Sequence, residues 1–185
     1  MCQLKQITPH QQKQKFFEKL KILFGFDKTK GRRPRYGKSG SDSKSHEVNS
    51  GDTSIARIQK ELASFKKSPP DNLVLAVGNN IRVWLVTMTC PEGTIYAGEK
   101  YKLKMIFPKD YPTKPPSVYF LKPCPKHMHV YSNGDICLNL LGRDWRPSMT
   151  AESLAISILS ILSNAKEKRL PQDNALRKKM LIYNL

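Results

Sequence analysis

The sequence predicts an α+β fold, and three observations carry the prediction. An amphipathic stretch near residues 54–67 has the spacing of a helix. Several consecutive β-rich segments after it read as antiparallel strands, one of them strictly alternating apolar with charged residues. A later run, 150–164, is apolar on more than one face, as a deeply buried helix is.

In the first helix, Asp52, Thr53 or Ser54 is the expected cap, and Ile55, Ile58, Leu62 and Phe65 form the buried stripe. Arg57, Lys60 and Lys67 are expected to face outward, and Pro69-Pro70 to end the helix. Strands are predicted at 73–77, 81–88, 100–107 and 117–121. In the third, Tyr101, Leu103, Met105 and Phe107 alternate with Lys100, Lys102 and Lys104, so one face packs and the other meets water. Glycine and proline within 91–98 mark a hairpin turn. The connection FPKDYPTKPP, 107–116, is proline-dense and reads as a stiff, exposed loop suited to docking. In the helix predicted at 150–164, Thr150 is the expected cap, and Glu152 sits in the first turn, where the helix dipole favours an acid. The tail after Asn174, ALRKKMLIYNL, reads as one short helix.

The 185 residues suggest one domain plus an appendage, and 39% hydrophobic residues suffice for a sizeable core. Four cysteines, at 2, 90, 124 and 137, form no close-spaced framework, so a reducing cytoplasm or nucleus is expected. No secretory signal is legible, and no run approaches the roughly 18 apolar residues of a membrane span. The net charge is +17; residues 1–53 carry 12 Lys or Arg against 5 Asp or Glu, and the remainder 20 against 10. Nucleic acid is the generic partner of such a charge. Aromatic residues are not interleaved with the basic ones as in a stacking platform, which favours a solvated basic face over nucleic-acid binding.

Residues 1–53 read as a basic N-terminal extension and 54–185 as the folded domain. Within the extension, 12–26 places Phe16, Phe17, Leu20, Leu23 and Phe24 at helical spacing between lysines. Such a basic amphipathic helix suits an anionic membrane, a partner groove or the domain itself, and its moment does not separate the three. Residues 31–51 are Gly/Ser-rich and polar, the composition of a flexible linker.

The chemistry concentrates in 126–147, KHMHVYSNGDICLNLLGRDWRP. Ser132-Asn133-Gly134-Asp135 is a turn signal, because both residues of Asn-Gly tolerate positive φ. Cys137 follows two residues later, with His127 and His129 upstream. A cysteine between Ile136 and Leu138 suits a buried small hydrophobe. Cys124, His127, His129 and Cys137 are four potential zinc ligands, though the usual finger pairings are absent, so no metal is expected. A papain-like nucleophile would need a histidine base and an orienting partner, and the local signatures of such enzymes are missing.

These residues resemble the active-site segment of ubiquitin-conjugating enzymes. The matching pieces are HMH at 127–129, SNGDICL at 132–138 and WRP at 145–147, preceded in order by ARIQKEL and PEGTIYAGEKYKLKMIFPKDYPTKPPSVYF. The resemblance spans about 54–174 and is strongest to the W-type members, in HVYSNG, in a histidine where most members carry asparagine, and in KEKRLPQDN at 166–174. It implies a four-stranded antiparallel meander between an N-terminal helix and a long buried helix, with a short C-terminal helix. It implies an enzyme that takes ubiquitin from an activating enzyme as a thioester on Cys137 and passes it to an amine of a protein substrate. No cofactor is expected, since ATP is used by the activating enzyme.

The resemblance also assigns roles. His129 matches the asparagine held to stabilise the oxyanion, with pinning of the loop as the alternative; His127 matches a structural histidine, and Met128 replaces a proline. Asn133 belongs to the supporting turn. Arg57 and Lys60, with Pro112, Thr113 and Pro147 of the two proline loops, match the surface for activating enzyme and ligase. Thr113 stands where many members carry a phenylalanine, which favours RING-type ligases. Trp145 is expected in the core, given the area an indole buries. Lys126, Arg143 and Arg146 would favour a Cys137 thiolate if near it, and Asp135 and Asp144 would oppose it. The basic run 166–169 implies a neutral amine acceptor, an α-amino group, over lysine. The tail lacks the paired tryptophans of the W-type. Two other readings remain: a catalytically silent binding variant, and a conjugating enzyme for another modifier, since DWRP also occurs in the SUMO type and ICLNLL resembles the NEDD type.

Overall fold

The computed structural model describes residues 50–175. The amphipathic segment 12–26 and nearly all of the linker lie outside them, as does the tail after Ala175; helical backbone at Asn174 and Ala175 is what the predicted short helix shows within the described residues.

Helix α1 spans Ser50–Lys67. It begins earlier than predicted, so the expected cap positions 52–54 lie within its first turns. Ser54 is fully buried, and its hydroxyl accepts from the Arg82 guanidinium at 2.7 Å. Of the expected stripe, Ile58 and Phe65 are buried, and Leu62 packs partly against the core.

Strands β1 (Leu73–Val77), β2 (Val83–Thr89), β3 (Lys100–Ile106) and β4 (Ser117–Phe120) pair antiparallel in sequence order. The second starts two residues later than predicted because Asn80 closes a turn. Its carbonyl accepts from Val83 N–H at 3.0 Å and its side chain from Arg82 N–H at 3.0 Å. The alternation in β3 is as predicted: Tyr101, Leu103 and Met105 are buried, while Lys100 and Lys102 are exposed. Register pairs Trp84 with Met105 and Val86 with Leu103, so the inward residues of neighbouring strands stack on one face.

That face carries the core. Helix α2, Ala151–Ser163, buries Leu154, Ala155, Ile158, Leu159 and Leu162 in the same apolar cluster as Trp84, Leu103, Phe120 and Phe65. Thr150 caps it as expected, within a reciprocal box: its side chain accepts from Ser153 N–H, and Ser153 Oγ accepts from Thr150 N–H. The proline-dense loop is exposed in part: Phe107 and Tyr111 are buried, with ring centroids 4.8 Å apart, while Lys109, Asp110, Thr113 and Lys114 project.

An unforeseen carboxylate joins these parts. Glu61, on α1, has a side chain only 7% exposed. It accepts from Arg57 Nε at 2.6 Å, from the Tyr111 hydroxyl at 2.7 Å and from Ala151 N–H at 2.8 Å. One side chain thus ties the first helix to the proline loop and to the start of α2, where an anion satisfies an otherwise orphan N–H and the helix dipole. Arg57 is consequently not an outward-facing residue: its NH2 group also donates to the Met149 carbonyl at 3.1 Å. Among the described residues, no helix is long and apolar enough to cross a membrane.

Candidate active site

Residues 126–147 fold as a loop that is bonded at nearly every step. From within β4, Tyr119 bridges Asp135, and Val130 bridges both His127 and Ile136. Of the Asn-Gly pair, Gly134 alone takes positive φ, at 98°. Asn133, exposed, receives Asp135 N–H on its Oδ1 at 3.1 Å, and its Nδ2 donates back to the Asp135 carboxylate at 2.9 Å. The turn is a side-chain-locked one, as asparagine favours.

This arrangement places Cys137 on the surface, just before a short 3₁₀ turn at Asn139–Leu141. Its backbone N–H donates to the His129 carbonyl at 2.8 Å. His129 N–H in turn donates to His127 Nδ1 at 3.0 Å. That bond requires an unprotonated Nδ1. Burial, and then the charge of His129, hold the His127 ring below its ordinary value of 6.5, while a hydrogen bond to the Ile161 backbone opposes them. His127 therefore sits neutral between the loop and α2. Both backbone polar groups of His129 are committed to the loop, and its half-buried ring lies 5.4 Å from that of His127.

The other cysteines are differently placed. Cys90 is buried, and desolvation, with the charge of Glu99 adding to it, pushes its thiol up to about 11. Cys124 is half-buried and directs its thiol at the Ser132 and Tyr131 carbonyls, 3.6 and 3.9 Å away. The four potential zinc ligands thus do not converge: among the described residues no three His, Cys, Asp or Glu side chains gather as a metal site would need.

Two segments distant in sequence brace the loop, and neither is apparent from motif spacing. After α2, Asp173 accepts from the Tyr131 hydroxyl at 2.9 Å, and Asn174 Oδ1 accepts from Ser132 N–H at 2.8 Å. Before β3, Tyr96 is fully buried and its hydroxyl donates to the Lys126 carbonyl. Glu99 binds both the Tyr101 hydroxyl and Lys168, and that ammonium lies 5.0 Å over the Tyr96 ring. The charges at 166–169 are correspondingly offset. Lys168 pairs with Glu99 and Arg169 with Glu167, the latter at 2.6 Å, so the run is less basic than the bare sequence implies. Arg143 likewise faces Asp144, at 3.6 Å.

Beside this loop lies an open cavity of about 420 Å³, walled by His127, Met128 and His129 on one side and by Ile161, Ala165 and Glu167 on the other.

The expected docking residues divide. Lys60, Thr113 and Pro147 are exposed. Pro112 is half-buried, and its carbonyl accepts from the Trp145 indole N–H at 2.8 Å, locking the two proline loops together. Trp145 is not a fully buried core residue but packs part of its ring against the core.

Residues 57–181 match the family profile described as "Ubiquitin-conjugating enzyme". The chain is 45% identical over 118 residues to the "Probable ubiquitin-conjugating enzyme E2 16" of Arabidopsis thaliana, covering 64% of this chain and 73% of that protein. It is 44% identical over 123 residues to the "Probable ubiquitin-conjugating enzyme E2 W-A" of Danio rerio, covering 64% and 82%. Among solved structures, a ubiquitin conjugating enzyme E2 from Plasmodium falciparum superposes with a TM-score of 0.59 at 57% identity, over 60% of this chain and 99% of that one. With the helix, the antiparallel meander and the matching segment all in their expected order, the chain belongs to the ubiquitin-conjugating enzyme family.

Proposed function

We propose that Cys137 is the residue on which this enzyme carries ubiquitin, as a thioester, and that the bound acyl group then passes to a substrate amine with a RING-type ligase in attendance. One observation carries the reading: Cys137 is exposed on a loop whose backbone is fixed by hydrogen bonds, whereas Cys90 is buried and Cys124 is turned toward carbonyls. In the loading step the Cys137 thiolate attacks the carbonyl carbon of ubiquitin's C-terminal thioester on the activating enzyme. A new C–S bond forms and the activating enzyme's thiolate leaves. In the transfer step a neutral amine attacks the same carbon, a C–N bond forms, the Cys137 thiolate departs, and the amine's proton goes to water.

The tetrahedral species in each step carries an oxyanion. The Cys137 N–H already donates to His129, so the side chain of His129 is the group proposed as oxyanion donor. Lys60, Thr113 and Pro147 are proposed as contacts for the activating enzyme and ligase, on the strength of their exposure. Thr113 presents no aromatic ring, consistent with a RING-type partner.

The acceptor is proposed to be an α-amino group. With Lys168 and Arg169 paired internally, the exposed Lys166 at the cavity rim is the cation that disfavours a lysine ammonium there. An α-amine, with a pKa of about 7.7–8.0 against about 10.4 for lysine, has a free-base fraction a few hundredfold larger near pH 7.

The test is thioester formation with activating enzyme, ATP and ubiquitin, read on a non-reducing gel. Wild type should give an adduct cleaved by thiols, and Cys137→Ser an ester that resists them. An adduct that persists in Cys137→Ala would overturn the assignment. Product mass spectrometry showing modification at lysines alone, on substrates with free flexible N-termini, would overturn the α-amine acceptor.

A further inference from the structure

After α2 the chain runs through 165–171 with neither helix nor strand. Side chains set its course there, and those that follow grip the active-site loop. Asp173 accepts from the Tyr131 hydroxyl and Asn174 from Ser132 N–H, 2.9 and 2.8 Å away. These two bonds hold the loop just before its Asn-Gly turn. A third grip starts at Lys168, whose side chain is 41% exposed. Its ammonium binds Glu99 and lies over the Tyr96 ring, 5.0 Å from the centroid.

An exposed ion pair contributes little by itself. This one is seated on a platform already in place. Glu99 gives its other oxygen to the hydroxyl of the buried Tyr101. Tyr96 and Tyr101 pack edge to face, with ring centroids 6.3 Å apart. The cation therefore meets a held carboxylate and a held ring face, and the ordering cost falls on the lysine alone. Tyr96 carries that contact to the loop, because its hydroxyl donates to the Lys126 carbonyl. Lys126 precedes His127, whose Nδ1 accepts from His129 N–H at 3.0 Å, and the His129 carbonyl accepts from Cys137 N–H at 2.8 Å. The main chain that carries the thiol is thus anchored at its entry by Tyr96, and Lys168 is part of that ring's cover.

We propose that Lys168 is a positioning residue. Through Tyr96 and the Lys126 carbonyl it fixes the entry of the active-site loop, and so holds Cys137 and the His129 ring in register with the attacking amine. The role is distinct from the summed charge of 166–169, because it needs a cation over the Tyr96 ring and not merely one near the thiol. It rests on the reading of Cys137 as the thioester residue.

The experiment is single-turnover discharge of the preformed ubiquitin thioester of the full chain onto a peptide with a free α-amine and one lysine, over a range of peptide concentrations. Lys168→Met keeps the stem and drops the charge. It should lower the rate constant at saturating peptide about tenfold, within the loss of up to about 10²-fold that misplacement of a reacting group produces. The half-saturating concentration should move less than about twofold, since substrate contacts are untouched. Lys168→Arg keeps a cation for the ring and should recover most of the rate. Tyr96→Phe keeps the ring and removes only the bond to Lys126. It should be at least as slow as Lys168→Met, and adding Lys168→Met to it should cost nothing further, since both act through one bond. Multiplying losses in the double variant would overturn the proposal, as would wild-type discharge by Lys168→Met. An equal loss in Arg169→Met would also overturn it, by assigning the effect to the charge of the whole run. Hydrogen exchange of the free chain, read amide by amide, tests the same link with no thioester present. Lys168→Met should speed exchange at His129 and Cys137 severalfold and leave β2 and β3 unchanged. Unchanged exchange at both loop amides would overturn the positioning role. Failure of wild type to form a thioester would overturn the Cys137 reading alone, and the exchange result would still decide whether Lys168 fixes the loop.

Discussion

Gly134 packs against Phe120 so closely that a β-carbon on it would stand 2.1 Å from the Phe120 carbonyl oxygen. The Phe120 N–H also donates to the Gly134 carbonyl at 2.9 Å, so the end of β4 and the turn before Cys137 hold each other by backbone alone. Gly134 has φ of 98° as well, a region costly for residues with a β-carbon. Two independent penalties fall on one atom, and the obstructing group is a carbonyl that cannot rotate away. Gly134→Ala is therefore expected to destabilise the fold by about 3 kcal/mol, at the upper end of ordinary point mutations. Urea unfolding measures it, and a loss under about 1 kcal/mol would mean the turn relaxes freely.

Glu61 concentrates bonds from three parts of the chain in one nearly buried carboxylate. Glu61→Gln replaces an acceptor oxygen with an NH2 group, which must then confront a donor from Arg57, Tyr111 or Ala151. A cost of about 2 kcal/mol is expected, the penalty of leaving a buried polar group unsatisfied. Tyr111→Phe should be partly non-additive with it, by about 0.5–1 kcal/mol, because the two share a hydrogen bond. Equilibrium unfolding of the single and double variants checks both numbers. Strict additivity would show that Tyr111 contributes through packing and not through its hydroxyl.

The comparison of sequence with structure turns on such residues. The strands and the Thr150 cap are legible because side-chain period and cap chemistry are local properties. Glu61 is not read as interior because charge argues against burial, yet its spacing of three from Ile58 and four from Phe65 places it on their stripe. The i,i+4 relation to Arg57 is a second signal of the same kind. For Cys137, motif order gives the exposed loop, and Asn-Gly gives the turn. The braces from Asp173, Asn174 and Tyr96 have no such signature, since they join a side chain to a backbone group or another side chain some 30 to 42 positions away that nothing local relates. The pairing of Lys168 with Glu99 is hidden for the same reason, and it changes the electrostatics read from 166–169.

His127 supplies a pH dependence whose sign follows from its position. Burial, helped by the charge of His129, lowers its folded value below 6.5. Between that folded value and 6.5 the unfolded chain binds more protons than the folded one, so stability rises with pH. The contribution is complete above 6.5 and is lost as pH falls through the folded value. Urea titrations at pH 7 and pH 5 should show wild type weaker at pH 5. His127→Gln, whose amide oxygen can accept His129 N–H and whose NH2 can donate toward Ile161, should lose less of its stability over the same interval. A variant as acid-sensitive as wild type would place the proton uptake at the carboxylates instead.

His129 separates into backbone and ring. Its N–H and carbonyl tether the loop to His127 and to Cys137, and any residue but proline supplies them. The ring is the proposed donor to the oxyanion, and a side-chain substitution isolates that role. His129→Ala should reduce single-turnover discharge by about 10²–10³-fold, the usual effect of deleting one oxyanion donor. His129→Asn, which restores an N–H and matches the residue most family members carry there, should recover most of the rate. The His129→Ala loss should appear in the rate constant at saturating acceptor more than in the acceptor concentration needed, since the interaction strengthens in the transition state. Discharge by His129→Ala within a few-fold of wild type would leave this residue its backbone function alone.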